Sequence, residues 1–230
     1  MIPLSDSHKT YAIPFITIIL VIVNVLVFLF EMTTLDLDAF IMQYAFTPAL
    51  FSFSDPSTWA PVITSAFLHG GITHILFNML FLWVFGDNVE ESLGIIGYLV
   101  FYLGATISAV FLQYFIDPLS TIPMLGASGA ISGILGYYLM VFPHHRINTL
   151  VIFGGGIFRQ ELPAQIFLVY WAITQFFSGF GSLVTPEEGG GTAWFAHIGG
   201  LLFGIIVGFL LKNKKTETTS YEVVDRFPGY

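Results

Sequence analysis

Four polar residues in apolar surroundings carry what chemistry this chain can do: Ser128, His197, His74 and Asn78. A serine hydroxyl beside a neutral imidazole is a nucleophile with its base, and a second imidazole and a carboxamide are donors for an oxyanion. The set is equipped for acyl transfer. Ser128 stands in Gly126-Ala127-Ser128-Gly129. At a helix start, free N–H groups and the positive end of the dipole favour the charge that forms when a hydroxyl attacks a carbonyl. A serine there is also an ordinary N-cap, and a lone Ser or Asn in an apolar helix is most often an interhelical hydrogen bond. The nucleophile elbow of soluble α/β-hydrolases would need glycine at Ala130. The chain has no Cys, which removes disulfides, thiolate zinc sites and cysteine nucleophiles. His144 and His145 adjoin Arg146 with no further ligand in the pattern, so they read as an interfacial group and not as a metal site. No metal or organic cofactor is implied, and nothing points to nucleic acid.

The elements that must position these residues are membrane helices. The 230 residues are 55% hydrophobic and 10% charged, with 25 Phe. A mean hydropathy of +0.81 lies far from the usage of soluble domains. Apolar stretches run over Ile13 to Phe30, Pro61 to Phe85, Leu93 to Ile116, Ser128 to Phe142, Ala164 to Val184 and Ala193 to Leu211. The spacing predicts an all-α membrane protein, a six-transmembrane-helix bundle, with a segment 1–12 before it and a polar tail over 212–230. A span needs about 20 residues for a hydrocarbon core of roughly 30 Å, so the fourth stretch is short. Pro143 and the His144-His145-Arg146 group fix its far end, so the missing length falls on the Ser128 side. The preceding loop must then dip into the bilayer, where irregular backbone is tolerated only against protein or a wet cavity.

Orientation follows from Lys9, Arg146, Arg159, Lys212, Lys214, Lys215 and Arg226, which all fall on one side of that six-span path. The positive-inside rule puts both termini in the cytoplasm. The second, fourth and sixth stretches then share one sense and bring His74, Asn78, Ser128 and His197 near one depth. Polar groups at that depth cost free energy unless partnered or facing a cavity. Gly129 and Gly133, and Ala196, Gly200, Gly204 and Gly208, form two rows spaced by four that favour close helix approach. Each row lies one residue beside Ser128 or His197.

Together these motifs resemble the rhomboid family of intramembrane proteases. The resemblance rests on His74-x-x-x-Asn78 within His69-Gly70-Gly71 to Phe85-Gly86, on Gly86 to Glu90 and Gly94, on Gly126-Ala127-Ser128-Gly129, and on Ala196-His197-x-x-Gly200-x-x-x-Gly204. It implies a Ser128–His197 dyad. It also implies an oxyanion site from the Ser128 backbone, His74 and Asn78 next to Gly126, a lateral gate with Phe77 and Trp171, and substrates that are themselves transmembrane helices. The absence of Asp and Glu around the site agrees with a dyad, since Asp87 lies at the wrong end. Two positions depart from the family pattern: Trp59-Ala60 replaces Trp-Arg, and Ser132 stands where some relatives place a ring beneath the histidine, offering a hydroxyl to His197 instead. His69 is expected at the cavity mouth, and Glu187-Glu188-Gly189-Gly190-Gly191 as a cap or a plain connector. The expected setting is a multi-pass protein of a cell membrane, the prokaryotic plasma membrane by preference, with its oligomeric state open. Alternatives from other classes are an inactive rhomboid-like protein that binds membrane helices, and a transporter, which the missing carboxylate relay and missing repeat disfavour.

Overall fold

The computed structural model describes residues 1–8, 10, 13–184 and 193–226. Helices dominate it: α1 (Phe15–Thr33), α2 (Leu37–Tyr44), α3 (Ala60–Thr64), α4 (Ile72–Ile116), α5 (Ser128–Val141), α6 (Ala164–Val184) and α7 (Trp194–Arg226). Among the described residues, α1, α4 and the Trp194–Lys212 part of α7 are long and apolar enough to cross a membrane. Large apolar side chains such as Leu26, Phe30, Ile96, Val100, Ile206 and Phe209 face outward along these helices, as does Phe176 on α6. Such a surface is at home in lipid. The 45 residues of α4 are broken at Gly94, whose φ of +72° and ψ of 167° lie where only glycine sits without strain, so α4 forms two helical halves. At about 1.5 Å per residue each half reaches roughly 30 Å.

The second apolar stretch does not form one helix from Pro61. After α3 and a single 3₁₀ turn, Leu68 turns extended, and helix resumes only at Ile72. The cause is a polar anchor: the buried Glu31 carboxylate at the end of α1 accepts the His69 backbone N–H at 3.1 and 3.2 Å. Another carboxylate does similar work at the opposite end of α1. Glu90 of α4 accepts the N–H groups of Ile16 and Thr17 and the Thr17 hydroxyl, each at 2.8 Å, and so caps α1 from a neighbouring helix. The core between the helices is aromatic. Phe85, Tyr98, Tyr102, Tyr137, Tyr138 and Phe167 are fully buried there.

The all-α expectation is corrected by a three-stranded antiparallel sheet in the order β1 (Ile2–Asp6), β2 (Arg146–Phe153), β3 (Gly156–Pro163). The hairpin turn is Gly154-Gly155, at φ +58° and +80°, the positive-φ pair that a two-residue turn joining twisted strands requires. Ile147 and Thr149 point inward from β2, while Asn148 and Arg146 point away. Beneath the sheet, Asp6 of β1 meets the Tyr138 hydroxyl and lies 3.6 Å from His145. The sheet thereby ties the segment before α1 to the one after α5 on a single face of the bundle. Helix α7 continues past Leu211 to Arg226. Lys9 and the 187–191 loop lie outside the described residues.

Candidate active site

Helix α5 starts at Ser128 itself, with Ala127 as N-cap and no side chain capping the end. The serine hydroxyl is committed elsewhere: Ser128 Oγ lies 2.8 Å from His197 Nε2. The two groups come from α5 and α7, whose axes approach backbone to backbone. A β-carbon on Gly200 would overlap the Gly129 carbonyl, one on Gly204 would overlap the Gly133 carbonyl, and one on Gly136 would overlap that of Leu201. The two small-residue rows of the sequence therefore face each other, and this close approach brings the hydroxyl and the imidazole into hydrogen-bond range. On the other side of α5, Gly129 and Gly133 meet the methyl groups of Ala109 and Ala105 on α4.

The oxyanion candidates converge beside the nucleophile. A β-carbon on Gly126 would stand 2.8 Å from His74 Nε2 and 3.5 Å from Asn78 Nδ2, and Gly126 has φ +119°. Glycine is required there twice over, by the backbone and by the room that the two donors need. The amide of Gly126 donates to the Ser65 carbonyl at 2.8 Å, which pins the loop that leads into α5. His74 Nδ1 accepts the Gly70 N–H at 3.4 Å, so its proton resides on Nε2, the nitrogen aimed at Gly126. Asn78 is buried, and its Nδ2 has no acceptor among the described residues. The interhelical hydrogen bond that would have given Asn78 a purely structural use is not made by that donor. The N–H of Ser128, in the first turn of α5, has no acceptor within its own helix. A cavity of about 30 Å³ opens at Ser128, between Ser65, Thr106, Val110, Met124 and Ala196.

Other expected residues take different places. Ser132 does not reach His197: its hydroxyl donates to the Ser128 carbonyl at 2.6 Å, the usual i to i−4 back-bond of a helical serine. His69 is buried at 4% exposure instead of lining a mouth, with its ring edge-on to His74 at 5.2 Å. Trp171 comes to the catalytic candidate, its ring 6.2 Å from that of His197, and Trp194 stands edge-on to the same imidazole at 5.9 Å. Phe77 is 43% exposed and makes no ring pair with Trp171. Asp87 lies against Asn88 and Thr10, away from the serine. Among the described residues no cluster of His, Asp and Glu is arranged to hold a metal.

Two residues of the site escaped the sequence reading. Gln175 of α6 places Oε1 2.7 Å from His197 Nδ1. Glu31 holds the backbone from which His74 starts. The signal for both is present, since each is a polar residue in a predominantly apolar helix, although α1 also carries Asn24 and α6 also carries Gln165.

Many known proteins match this sequence. The family profile described as Rhomboid domain matches residues 56–214. The chain is 31% identical over 157 residues to the rhomboid YdcA of Bacillus subtilis, covering 68% of this chain and 69% of that protein. It is 29% identical over 196 residues to Rhomboid protease GlpG of Haemophilus influenzae, covering 85% of this chain and 90% of that protein. To mitochondrial Rhomboid protein 1 of Saccharomyces cerevisiae it is 29% identical over 156 residues, and there it spans only 42% of the relative's length.

Proposed function

The chain belongs to the rhomboid family, and from that premise we propose that it is an intramembrane serine endopeptidase acting on transmembrane-helix substrates through Ser128 and His197. The observation that carries the reading is the 2.8 Å hydrogen bond between Ser128 Oγ and His197 Nε2 at the start of α5. In the proposed reaction a substrate helix enters from the lipid between α4 and α6, past Phe77 and Trp171, and unwinds locally. Ser128 attacks a peptide carbonyl while His197 takes the hydroxyl proton, and the carbonyl oxygen gains negative charge. The Ser128 N–H, His74 Nε2–H and Asn78 Nδ2–H meet that charge beside Gly126. His197 then gives its proton to the leaving amine, and the acyl-enzyme forms. Deacylation repeats the sequence with water in place of the serine. No metal or cofactor enters these steps.

The proposed setting is a multi-pass membrane domain over 13–211 with six crossings: α1, the two halves of α4, α5, α6 and α7. Helix α5, with 14 residues, covers about 21 Å of a core of roughly 30 Å, which supports a recessed start at Ser128. The segments 1–12 and 212–230 are proposed to lie in the cytoplasm. Pairing of β1 with β2 supports one common side for the first segment and for Arg146 and Arg159.

Purified protein incubated with a transmembrane test substrate, with product masses read, tests the reading. Wild type is expected to cut at one site. Ser128→Ala, His197→Ala and the double variant should all fall to the no-enzyme level, since residues acting as one unit do not lose activity additively. Turnover by Ser128→Ala would overturn the assignment.

A further inference from the structure

We infer that Gln175 is a positioning residue that fixes the tautomer and orientation of His197, so that the reactive unit is a Ser-His-Gln array rather than an unsupported pair. The inference rests on the reading of His197 as base for Ser128. Its ground is a directional chain of hydrogen bonds. Gln175 is 8% exposed, in the interior of α6. Its amide nitrogen is engaged by two acceptors: Nε2 donates to Thr174 Oγ1 at 3.1 Å and to the Trp171 carbonyl at 3.4 Å. Thr174 Oγ1 in turn donates to the Trp171 carbonyl at 2.6 Å, so it is free to accept from the amide. Flipping the carboxamide would set Oε1 against the Trp171 carbonyl oxygen, acceptor to acceptor. The amide is thereby held with Oε1 toward His197.

An amide oxygen accepts and cannot donate. At 2.7 Å from Oε1, His197 Nδ1 must therefore carry the proton. Nε2 is then left bare, and it accepts the Ser128 O–H at 2.8 Å. This is the tautomer a general base needs. When Nε2 takes the serine proton, Nδ1–H stays on Gln175, and the imidazolium forms without turning. Soluble serine proteases use a carboxylate for the same task. A carboxamide supplies the direction without a buried charge, which at membrane depth would be costly. Gln175 also stands in for the support that Ser132 does not give, since that hydroxyl is spent on the Ser128 carbonyl. The other neighbours of the imidazole are the Trp171 and Trp194 rings, and His74 is the titratable group whose charge reaches it.

The test compares Gln175→Met, which keeps length and removes the acceptor, with Gln175→Glu, which keeps the acceptor and adds charge. In Gln175→Met we expect kcat to fall by about 10²-fold, the lower end of what positioned general-base catalysis contributes, at unchanged KM and melting temperature. In Gln175→Glu we expect activity to persist at neutral and alkaline pH. Its acid limb of kcat/KM should move to higher pH, because a carboxylate on Nδ1–H favours the protonated imidazole and so removes the base earlier as pH falls. A group that only packs α6 would move neither kcat alone nor the acid limb. An acid limb in Gln175→Glu that coincides with wild type overturns the inference, whatever the fate of Gln175→Met, as does wild-type kcat in a folded Gln175→Met. Ser128→Ala is assayed alongside. If it turns over, the protease reading itself has failed; if it is dead and the Gln175 variants behave as wild type, only the role of Gln175 has failed.

Discussion

Helix α7 has two neighbours that serve the site, and they meet it in opposite ways. Against α5 it packs backbone to backbone: Gly200 on Gly129, Gly204 on Gly133, and Gly136 on Leu201, with no room for a β-carbon at any of these positions. Against α6 it packs through side chains. A β-carbon on Gly179 would find Trp194 at 3.1 Å, and Ile166, Tyr170, Ile173, Phe176 and Phe177 all point outward from α6. A contact made by backbones cannot slide without breaking, whereas one made by rotatable side chains can. The pair that must hold 2.8 Å, Ser128 and His197, sits on the rigid seam. The residues that touch His197 from outside, Trp171 and Gln175, sit on the adaptable one. The division suits the proposed function, in which a substrate helix enters sideways without disturbing Ser128.

The largest effect is expected from breaking the rigid seam. Gly200→Val forces three carbon atoms against the Gly129 carbonyl, and neither backbone can yield without unseating the other rows. We expect no turnover and little protein surviving purification, read by cleavage assay and size-exclusion chromatography. If Gly200→Val folds and cleaves, the seam is not what positions the pair.

A large but bounded loss is expected on the oxyanion side, where the two side-chain donors, His74 and Asn78, come from α4 and not from either seam. Asn78→Ala is expected to lower turnover by up to about 10²–10³-fold with little change in apparent affinity, the size of losing one such donor. Melting temperature should hardly move, because Asn78 Nδ2 has no acceptor to lose among the described residues. A lowered melting temperature with unchanged turnover per folded molecule would remove Asn78 from the site and leave the Ser128 N–H and His74.

These assignments divide cleanly by how much the sequence could say. Ser128, His197, His74 and Asn78 stand out in the sequence because a polar residue among apolar ones is costly in lipid and needs a reason, and Gly126 enters with the motif around Ser128. Gln175 met the same criterion, yet its partner is 22 positions away and depends on the rotation of α6 about its axis. An almost uniformly apolar helix does not encode that rotation. Ser132 is expected on His197 only through the family resemblance, which puts a supporting group at that position, one turn after Ser128. The same spacing lets its hydroxyl return to the Ser128 carbonyl, and the nearer acceptor wins. The sheet is not in the sequence reading because the segment from Arg146 to Pro163 stays unassigned between two apolar stretches, although Gly154-Gly155 marks a turn. The break at His69 was missed because Glu31, which causes it, comes 38 residues earlier on another helix.

A smaller effect should follow from making the adaptable seam rigid. Because the chain has no Cys, a Gly179→Cys, Trp194→Cys pair would be its only thiols, and the two β-carbons start close enough to bridge with a small backbone shift. Oxidation is expected to lower kcat/KM for a transmembrane substrate severalfold relative to the reduced form of the same protein. Labelling of Ser128 by a small fluorophosphonate should persist in both forms. Equal cleavage before and after oxidation would mean that α6 need not move relative to α7.

The smallest effect is expected at the far end of α5, where the rigid helix touches the periphery through Tyr138, Asp6 and His145. His145 lies beyond the helix end, and burial pulls its imidazole below the ordinary value; Asp6 opposes that pull and the stacked ring of His8, 4.6 Å away, adds to it. The sign follows from linkage. A histidine that resists protonation when folded binds fewer protons than the unfolded or undocked chain, so its contribution is complete above the ordinary imidazole value of about 6.5 and is lost as pH falls below it. Acidification should thus loosen β1 from β2 while the β2–β3 hairpin, which owes nothing to His145 titration, stays paired. We expect amide exchange over Ile2–Asp6, corrected for intrinsic rate, to accelerate between pH 7.5 and 5.5 (about one unit either side of the imidazole value), with β3 unchanged and with fluorophosphonate labelling of Ser128 unchanged once the titration of His197 itself is normalised. His145→Gln should abolish the acceleration. If β1 exchanges no faster at the lower pH, Asp6 outweighs burial at His145, and β1 docking is held by the ion pair instead of by a neutral ring.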